Sequence, residues 1–478
     1  MPQSNTGYLD AAAGLPSSAI ARAAEQAATE DGWADPAKVT GPGRRSAVLL
    51  DAARETMARE LGVRPDEVTF VPSGSHALQL AVLGTVAGRH RAGTRLVLSA
   101  VEHSAVFKAA DWHASRPGAL PEAELVEVVG VDGLGRVDLD GFVTAASRPG
   151  VAAAVLQAAN HEVGTRQPVV QAAAFLRERG VPLVVDATHE VLYGPAPAEA
   201  AVFAVDARMW GGPAGVGVLV VRRGTRWLPP FPVDESEAAR SLGVVNVPAA
   251  VAAAASLRAF HVDRDRHAAR LSAFIEQIRG TVARDIADAV VLGDPVDRLP
   301  HLLTFSSLYL DGEALLTALD REGFVVSSGS SCTSDTLTPS HVLVAMGALT
   351  SGNIRISLHP DVTDAEIERF LEVLPRVVDR VRADLPAGGR TSLKGEAGQS
   401  PATAERLIDA RGRRCPLPIL DLARAWPDVE LGQVVTVLAD DPAAESDIPA
   451  WSRMRDQEYL GSQPREDGAV AYRVRRLS

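Results

Sequence analysis

Cysteine and lysine are the scarce residues of this 478-residue chain. It has two cysteines, Cys332 and Cys415, and three lysines, Lys38, Lys108 and Lys394, within a Lys plus Arg total of 48. Two cysteines in a large chain without a secretion signal read as free thiols rather than a disulfide framework, although the two can meet transiently. Long apolar runs are also missing, and the opening MPQSNTGYLD lacks a basic region followed by an apolar one. Together these predict a cytoplasmic protein with no membrane attachment. Positive charge is in deficit as well: the net charge of -12 argues against direct nucleic-acid binding and leaves nucleic acid an indirect partner at most. What is present is apolar: 46% hydrophobic residues fill large cores, so a disordered or fibrous chain is excluded.

From about Tyr8 to Leu385, short apolar strands alternate with amphipathic helices, the pattern of an α/β domain with a mainly parallel sheet. Expected strands are Leu96 to Leu98, Ala152 to Leu156, Leu183 to Val185 and Val216 to Val221, with helices over Ala47 to Leu61 and Val169 to Arg179. Thr363 with Glu366 forms a capping box that opens a closing helix over Asp364 to Ala383. Residues 386–404 are rich in Gly, Ser, Thr, Pro and Ala without an apolar period and read as a flexible linker. This gives a large domain over 1–385 and a small one over 405–478, a two-layer α/β sandwich of strand, helix, strand, helix and terminal strands.

Cys332 sits in Ser327 to Gly347, SSGSSCTSDTLTPSHVLVAMG, among small polar residues that predict an exposed loop with a reachable thiol. Pro339 and Ser340 then start a helical turn that buries Val342, Leu343, Ala345 and Met346. This stretch resembles the active-site loop of NifS/IscS-type cysteine desulfurases, in which a mobile cysteine attacks cofactor-bound cysteine and leaves as a persulfide. The resemblance makes Cys332 the sulfur acceptor and extends over residues 8 to 380 to the fold-type I, class V pyridoxal-phosphate enzymes.

Further positions follow that pattern. In PSGSHALQL, Ser75 and His76 fall between strand and helix, where free amides and the helix dipole suit a phosphate. The resemblance implies that His103 stacks on the pyridine ring, that Asp186 pairs with the ring nitrogen, and that Arg355 grips the substrate carboxylate. It places His189 near the ring oxygen, where glutamine is usual, and His161 on the substrate side, where the pattern has asparagine. It also implies a cofactor lysine in a Ser-x-His-Lys segment ahead of a Gly-Pro-x-Gly turn. Here that segment reads Asp206, Ala207, Arg208, Met209, so methionine falls at the lysine position and a carboxylate replaces the phosphate-binding hydroxyl, with Arg208 able to offset it. No lysine lies between Lys108 and Lys394 to substitute. Gly14, Leu15 and Val244 also stand where threonines are usual. His76, His103, His161 and His189 beside Asp186 are ligand types for a divalent metal, but tight zinc-type spacing is absent and no metal site is assigned.

The second cysteine lies in LIDARGRRCPLPILDLARAW, with Pro416 suited to open a helix running to about Trp426. Cys415 is then expected at the helix cap, where the dipole and Arg411, Arg413 and Arg414 favour the thiolate. Cys-Pro-x-Pro, followed by Asp440, Asp441, Pro442 and by Asp447, Ile448, Pro449, resembles the TusA/SirA-type sulfur carriers. The whole then reads as a sulfur relay passing persulfide sulfur from Cys332 to Cys415 and on to a downstream acceptor protein. L-cysteine or a persulfide donor supplies the sulfur, and the resemblance implies a homodimer through the large domain. Met209 points to an impaired desulfurase. Two alternatives stand beside this: an active desulfurase holding pyridoxal phosphate without a covalent link, and a non-catalytic protein binding another ligand in the same cleft.

Overall fold

Buried β-branched and alanine-rich runs such as VAAAV, VFAVD and GVLVV have no polar face, so each must be covered on both sides. The computed structural model, which describes residues 7–116, 121–328, 339–384 and 406–478, places them at the centre of a seven-stranded sheet. The chain divides into two units, one of Ala11–Ala273 with Asp294–His301, the other of residues up to Asp10 with Phe274–Gly293 and Leu302–Ser478.

The first unit holds β1 (Val68–Val71), β2 (Arg95–Ser99), β3 (Val126–Val129), β4 (Val151–Val155), β5 (Leu183–Asp186), β6 (Val202–Asp206) and β7 (Gly217–Val221), in the order β1-β7-β6-β5-β4-β2-β3. Strands β3, β2, β4, β5 and β6 run parallel, while β7 is antiparallel to both β6 and β1. Side chains alternate between the faces with period two: Phe203, Val205, Val218 and Val220 join one core, and Val202, Ala204, Leu219 and Val221 the other. Each buried Val, Leu or Phe side chain among them contributes about 1.5–3 kcal/mol. The register has a functional consequence. Gly217 is level with both Val71 and Asp206, so the end of β1 is brought to the end of β6.

In the second unit β8 (Ala289–Leu292), β9 (Leu302–Ser307) and β10 (Asn353–Ser357) form an antiparallel sheet ordered β10-β9-β8. Residues 364–383 make the expected helix, and the Thr363–Glu366 capping box is present in both directions. The C-terminal sheet is β11 (Arg406–Asp409), β12 (Val434–Ala439), β13 (Glu458–Pro464) and β14 (Val470–Arg475), ordered β11-β12-β14-β13, with helices Leu417–Ala425 and Ala444–Met454. Its apolar core is shared: Leu308 and Leu349 belong to the same buried cluster as Ile408, Leu422, Val437, Ile448 and Trp451. Tyr309, at a left-handed φ of 58°, turns its hydroxyl to the Trp451 indole N–H (3.2 Å) and the Arg455 guanidinium (3.2 Å). A bulky residue in that region is strained, and here the contacts to the helix Ala444–Met454 and its cap Arg455 hold it there. Among the described residues, no helix is long and apolar enough to cross a membrane.

Candidate functional site

Parallel strands leave their C-terminal ends as the place where side chains converge. At that edge β1 turns into the helix Gly74–Arg89, whose cap, Ser73, accepts a hydrogen bond from the His76 amide at 3.1 Å. The first amides of this helix form an anion-binding end. An anion is already there. Asp206, buried at the end of β6, accepts from the Gly74 amide through Oδ2 (3.3 Å) and from the Arg208 amide through Oδ1 (2.9 Å), and its carboxylate pairs with the Arg208 guanidinium at 3.1 Å. Only glycine permits this approach, because a Cβ on residue 74 would lie 2.5 Å from the Asp206 Cβ. Ser75 is exposed, and burial lowers the His76 imidazole pKa. Met209 lies in the short 3-10 turn Ala207–Trp210, buried in the same core as Phe203 and Trp210.

Beyond Asp206 the edge is lined by imidazoles. His103 caps the helix Ser104–Ala114, its Nδ1 accepting from the Ala105 amide at 3.1 Å, so in the neutral ring the proton is on Nε2. The His161 ring lies 5.2 Å from His103 and 6.2 Å from His189, and His189 lies 6.4 Å from His301. Tyr193 closes the row at 4.9 Å from His301, and burial pushes its hydroxyl pKa up. Asp186 ends β5 and accepts from the Thr188 amide at 3.0 Å. Among the described residues, no group of three or more histidines, cysteines and acids is arranged to hold a metal ion.

Glu102, His301 and Tyr193 escaped the sequence reading. Glu102 had a signal, standing directly before His103 at a strand end. His301 had none, since the segment Asp294–His301 is brought in only by tertiary contacts such as the Thr165–Arg298 bridge. Glu102 is fully buried, accepts from the Gln157 amide at 2.9 Å, and is pushed up to about 8 by burial and by the nearby Asp186. Since its ordinary value is 4.5, the folded protein binds this proton more tightly than the unfolded chain does. The residue's contribution to stability is therefore full at low pH and is lost as pH rises through that window. Glu102→Gln abolishes the titration and keeps an acceptor for Gln157. Its stability relative to the parent is expected to rise by on the order of a few kcal/mol between about pH 5 and about pH 8, read from denaturant midpoints.

Three expected residues, Cys332, Arg355 and Cys415, belong to the second unit. Arg355 is buried on β10 and donates to Asp10 Oδ1 at 2.8 Å, so its fork is partly engaged by a protein carboxylate. Cys332 and residues 386–404 lie outside the described residues.

Cys415 departs from expectation. It does not cap the helix: Pro416 occupies the cap, Leu417 starts the helix, and the Cys415 amide donates to Asp441 Oδ2 at 3.2 Å. Nor is its thiolate favoured. Burial, followed by the Asp447 and Asp441 carboxylates, pushes the thiol pKa up. Two of the three expected cations are engaged elsewhere, Arg411 by Asp409 (2.6 Å) and Asp467 (2.8 Å), Arg413 by Asp421.

Residues 7–370 match the family model for Aminotransferase class-V, and residues 406–476 match that for Sulfurtransferase TusA. A cysteine desulfurase of Gluconacetobacter diazotrophicus is 34% identical over 351 residues, covering 70% of this chain and 84% of the relative. An IscS-like cysteine desulfurase of Mycobacterium tuberculosis is 33% identical over 405 residues, covering 80% and 99%. Among solved structures, a NifS-like protein from Rickettsia africae superposes with a TM-score of 0.68 at 20% identity, over 78% of this chain and 99% of that one, a likeness of fold.

Proposed function

Because the chain belongs to the class-V aminotransferase family and joins a cysteine desulfurase-like domain to a TusA sulfur carrier, we propose that it is a sulfur relay running from Cys332 to Cys415. We take 1–385 as the donor domain, 386–404 as the linker and 405–478 as the carrier, and place the chain in a homodimer through the large domain. One observation carries the reading. The carrier helix Ala444–Met454 sits on the segment that follows Cys332, with Asp447 holding the Thr350 amide at 2.6 Å and its hydroxyl at 2.9 Å. This holds the carrier helix on the stretch at Thr350.

The exchange is a displacement at sulfur. Cys415 attacks the outer sulfur of the Cys332 persulfide, a new S–S bond forms as the old one breaks, and Cys332 leaves as a thiolate that takes up the proton Cys415 gave away. One sulfur atom moves and no oxidant is consumed.

The same reading assigns the large domain a receiving role. The family uses pyridoxal phosphate, but the residues here do not fit it. Asp206 fills the amide end where a phosphate would lie, and a second anion about 4 Å away costs on the order of 4 kcal/mol per unit charge near a protein surface. Met209, at the position the resemblance gives to lysine, offers no amine. Sulfur then reaches Cys332 as a persulfide from a separate donor.

A single-turnover experiment tests both halves. The protein is incubated with L-cysteine and pyridoxal phosphate, alanine is quantified, and persulfide on Cys332 and Cys415 is read by mass spectrometry. No alanine is expected, and persulfide should appear on Cys415 only after an outside cysteine desulfurase is supplied. Stoichiometric alanine would restore the desulfurase reading. A copurifying ligand that is neither coenzyme nor sulfur would favour the binding protein.

A further inference from the structure

One carrier helix makes a dense set of contacts with the rest of its unit. Asp447, on the first turn of Ala444–Met454, accepts from the Thr350 amide (2.6 Å), the Thr350 hydroxyl (2.9 Å) and the Ser351 amide (3.2 Å). Toward the other end, Trp451 and the cap Arg455 donate to the Tyr309 hydroxyl, each at 3.2 Å, Arg455 pairs with Asp288 at 3.0 Å, and Arg453 donates to the Gly347 carbonyl. Between them Leu308 and Leu349 enter the apolar cluster of Ile448 and Trp451. No strand is shared, since β8 to β10 and β11 to β14 form separate sheets. An apolar centre rimmed by hydrogen bonds, contributed by two stretches that each match a family of their own, is the anatomy of a docked interface rather than of one continuous core.

The face that receives this helix is shaped for it. Asp288 and Tyr309 both stand in the left-handed region, at φ of 56° and 58°, and both engage Arg455. On the carrier side Asp456, directly after Arg455, is the same at 54°. Non-glycine residues in that region are strained, and such strain gathers where a partner is clamped. Gly347 is left-handed too, at 65°, and a Cβ on it would lie 3.0 Å from the Arg453 guanidinium. Its missing side chain is what lets Arg453 reach the carbonyl.

We propose that Asp288, Tyr309 and residues 347–351 form a recognition surface for TusA-type carriers, which the chain fills with its own carrier and thereby closes to carriers from outside. The biological sense rests on the relay reading above: sulfur that enters the chain is then committed to Cys415. Closure follows from the covalent tether. Joined through residues 386–404, the chain's own carrier stands near the face at on the order of a millimolar, so an outside carrier of equal affinity takes the face only near that concentration.

The test uses the full chain with a protease site inserted between residues 386 and 404, so that the linker can be cut after folding, and with Tyr309→azidophenylalanine as a photo-crosslinker on the face. Protein carrying a heavy-isotope label is mixed with unlabelled cut protein, and mass spectrometry reads whether each large fragment is crosslinked to its own carrier or to a foreign one. When both proteins are cut, foreign pairs are expected to become as abundant as own pairs. When the labelled chain is left uncut and the outside carrier stands at about 5 µM, foreign pairs are expected to stay below about one in a hundred. Arg453→Glu with Arg455→Glu in the incoming carrier sets carboxylates against the Gly347 carbonyl and Asp288, and is expected to lower foreign pairing between cut proteins by at least about tenfold. Hydrogen exchange in β12 and β14 is the folding control, and if that variant disturbs them, Gly347→Leu on the receiving face decides in its place. Foreign pairing as frequent in the uncut chain as in the cut one overturns the proposal, and so does foreign pairing that survives these substitutions. No exchange between two cut proteins overturns it as well, because the contact is then a fixed part of the fold. No sulfur moves in any arm, so failure of the relay and failure of this proposal are told apart.

Discussion

Cys415→Ser is expected to end sulfur delivery while leaving the fold intact. A serine hydroxyl is too weak a nucleophile to accept sulfane sulfur, and its oxygen has no stable sulfur-loaded form. With an outside desulfurase as donor, labelled sulfur on residues 405–478 is expected to fall to background, while thermal unfolding stays within about 0.5 kcal/mol of the parent. Cys332→Ser is expected to give the same loss by a different route, since the donor sulfur then never enters the chain. The pair therefore orders the relay. Full loading of Cys415 in Cys332→Ser would remove the loop from the mechanism and make the carrier a direct acceptor. Loading of both variants would remove the relay altogether.

The second large effect concerns Asp206. The parent is expected to lose pyridoxal phosphate on gel filtration. Asp206→Ser removes the carboxylate from the Gly74 amide and leaves a hydroxyl able to accept from Arg208. Relief of one like-charge contact worth roughly 4 kcal/mol corresponds to coenzyme binding tighter by on the order of a hundred- to a thousandfold, measured by fluorescence titration. Met209→Lys alone is expected to bind no better and to unfold more easily, because its ammonium enters the packed core around Phe203 and Trp210. Only the double variant, with the anion slot vacated and an amine in place, is expected to keep the coenzyme through filtration. If the parent binds it as tightly as Asp206→Ser does, the plugged-cradle account is wrong.

What could be read from the sequence was what is local. The Thr363–Glu366 box, the helix over 169–178 and strand β4 come from patterns a few residues long, and the structure has each within a residue or two. The carboxylate at Asp206 was equally legible as a conflict with phosphate, though not its bond to Gly74, which depends on β7 setting β1 and β6 in register. Charge around Cys415 misled for the same reason. Arg411 and Arg413 are near it in sequence, but Asp467 arrives from the β13–β14 turn and Asp421 from the following helix, and these take up the cations. The bonds of Asp447 to Thr350 and Ser351 were invisible, because those residues belong to a distant stretch of chain.

Leu308 and Leu349 lie inside the carrier's apolar cluster, which bears on how the protein is made. Synthesis runs from the N-terminus, and segments fold as they emerge. When β11 to β14 leave the ribosome, both leucines are already in place as a finished surface against which Trp451 and Ile448 can settle. The carrier is born onto a partner supplied by its own chain, and a gene encoding it alone would have to provide that surface some other way.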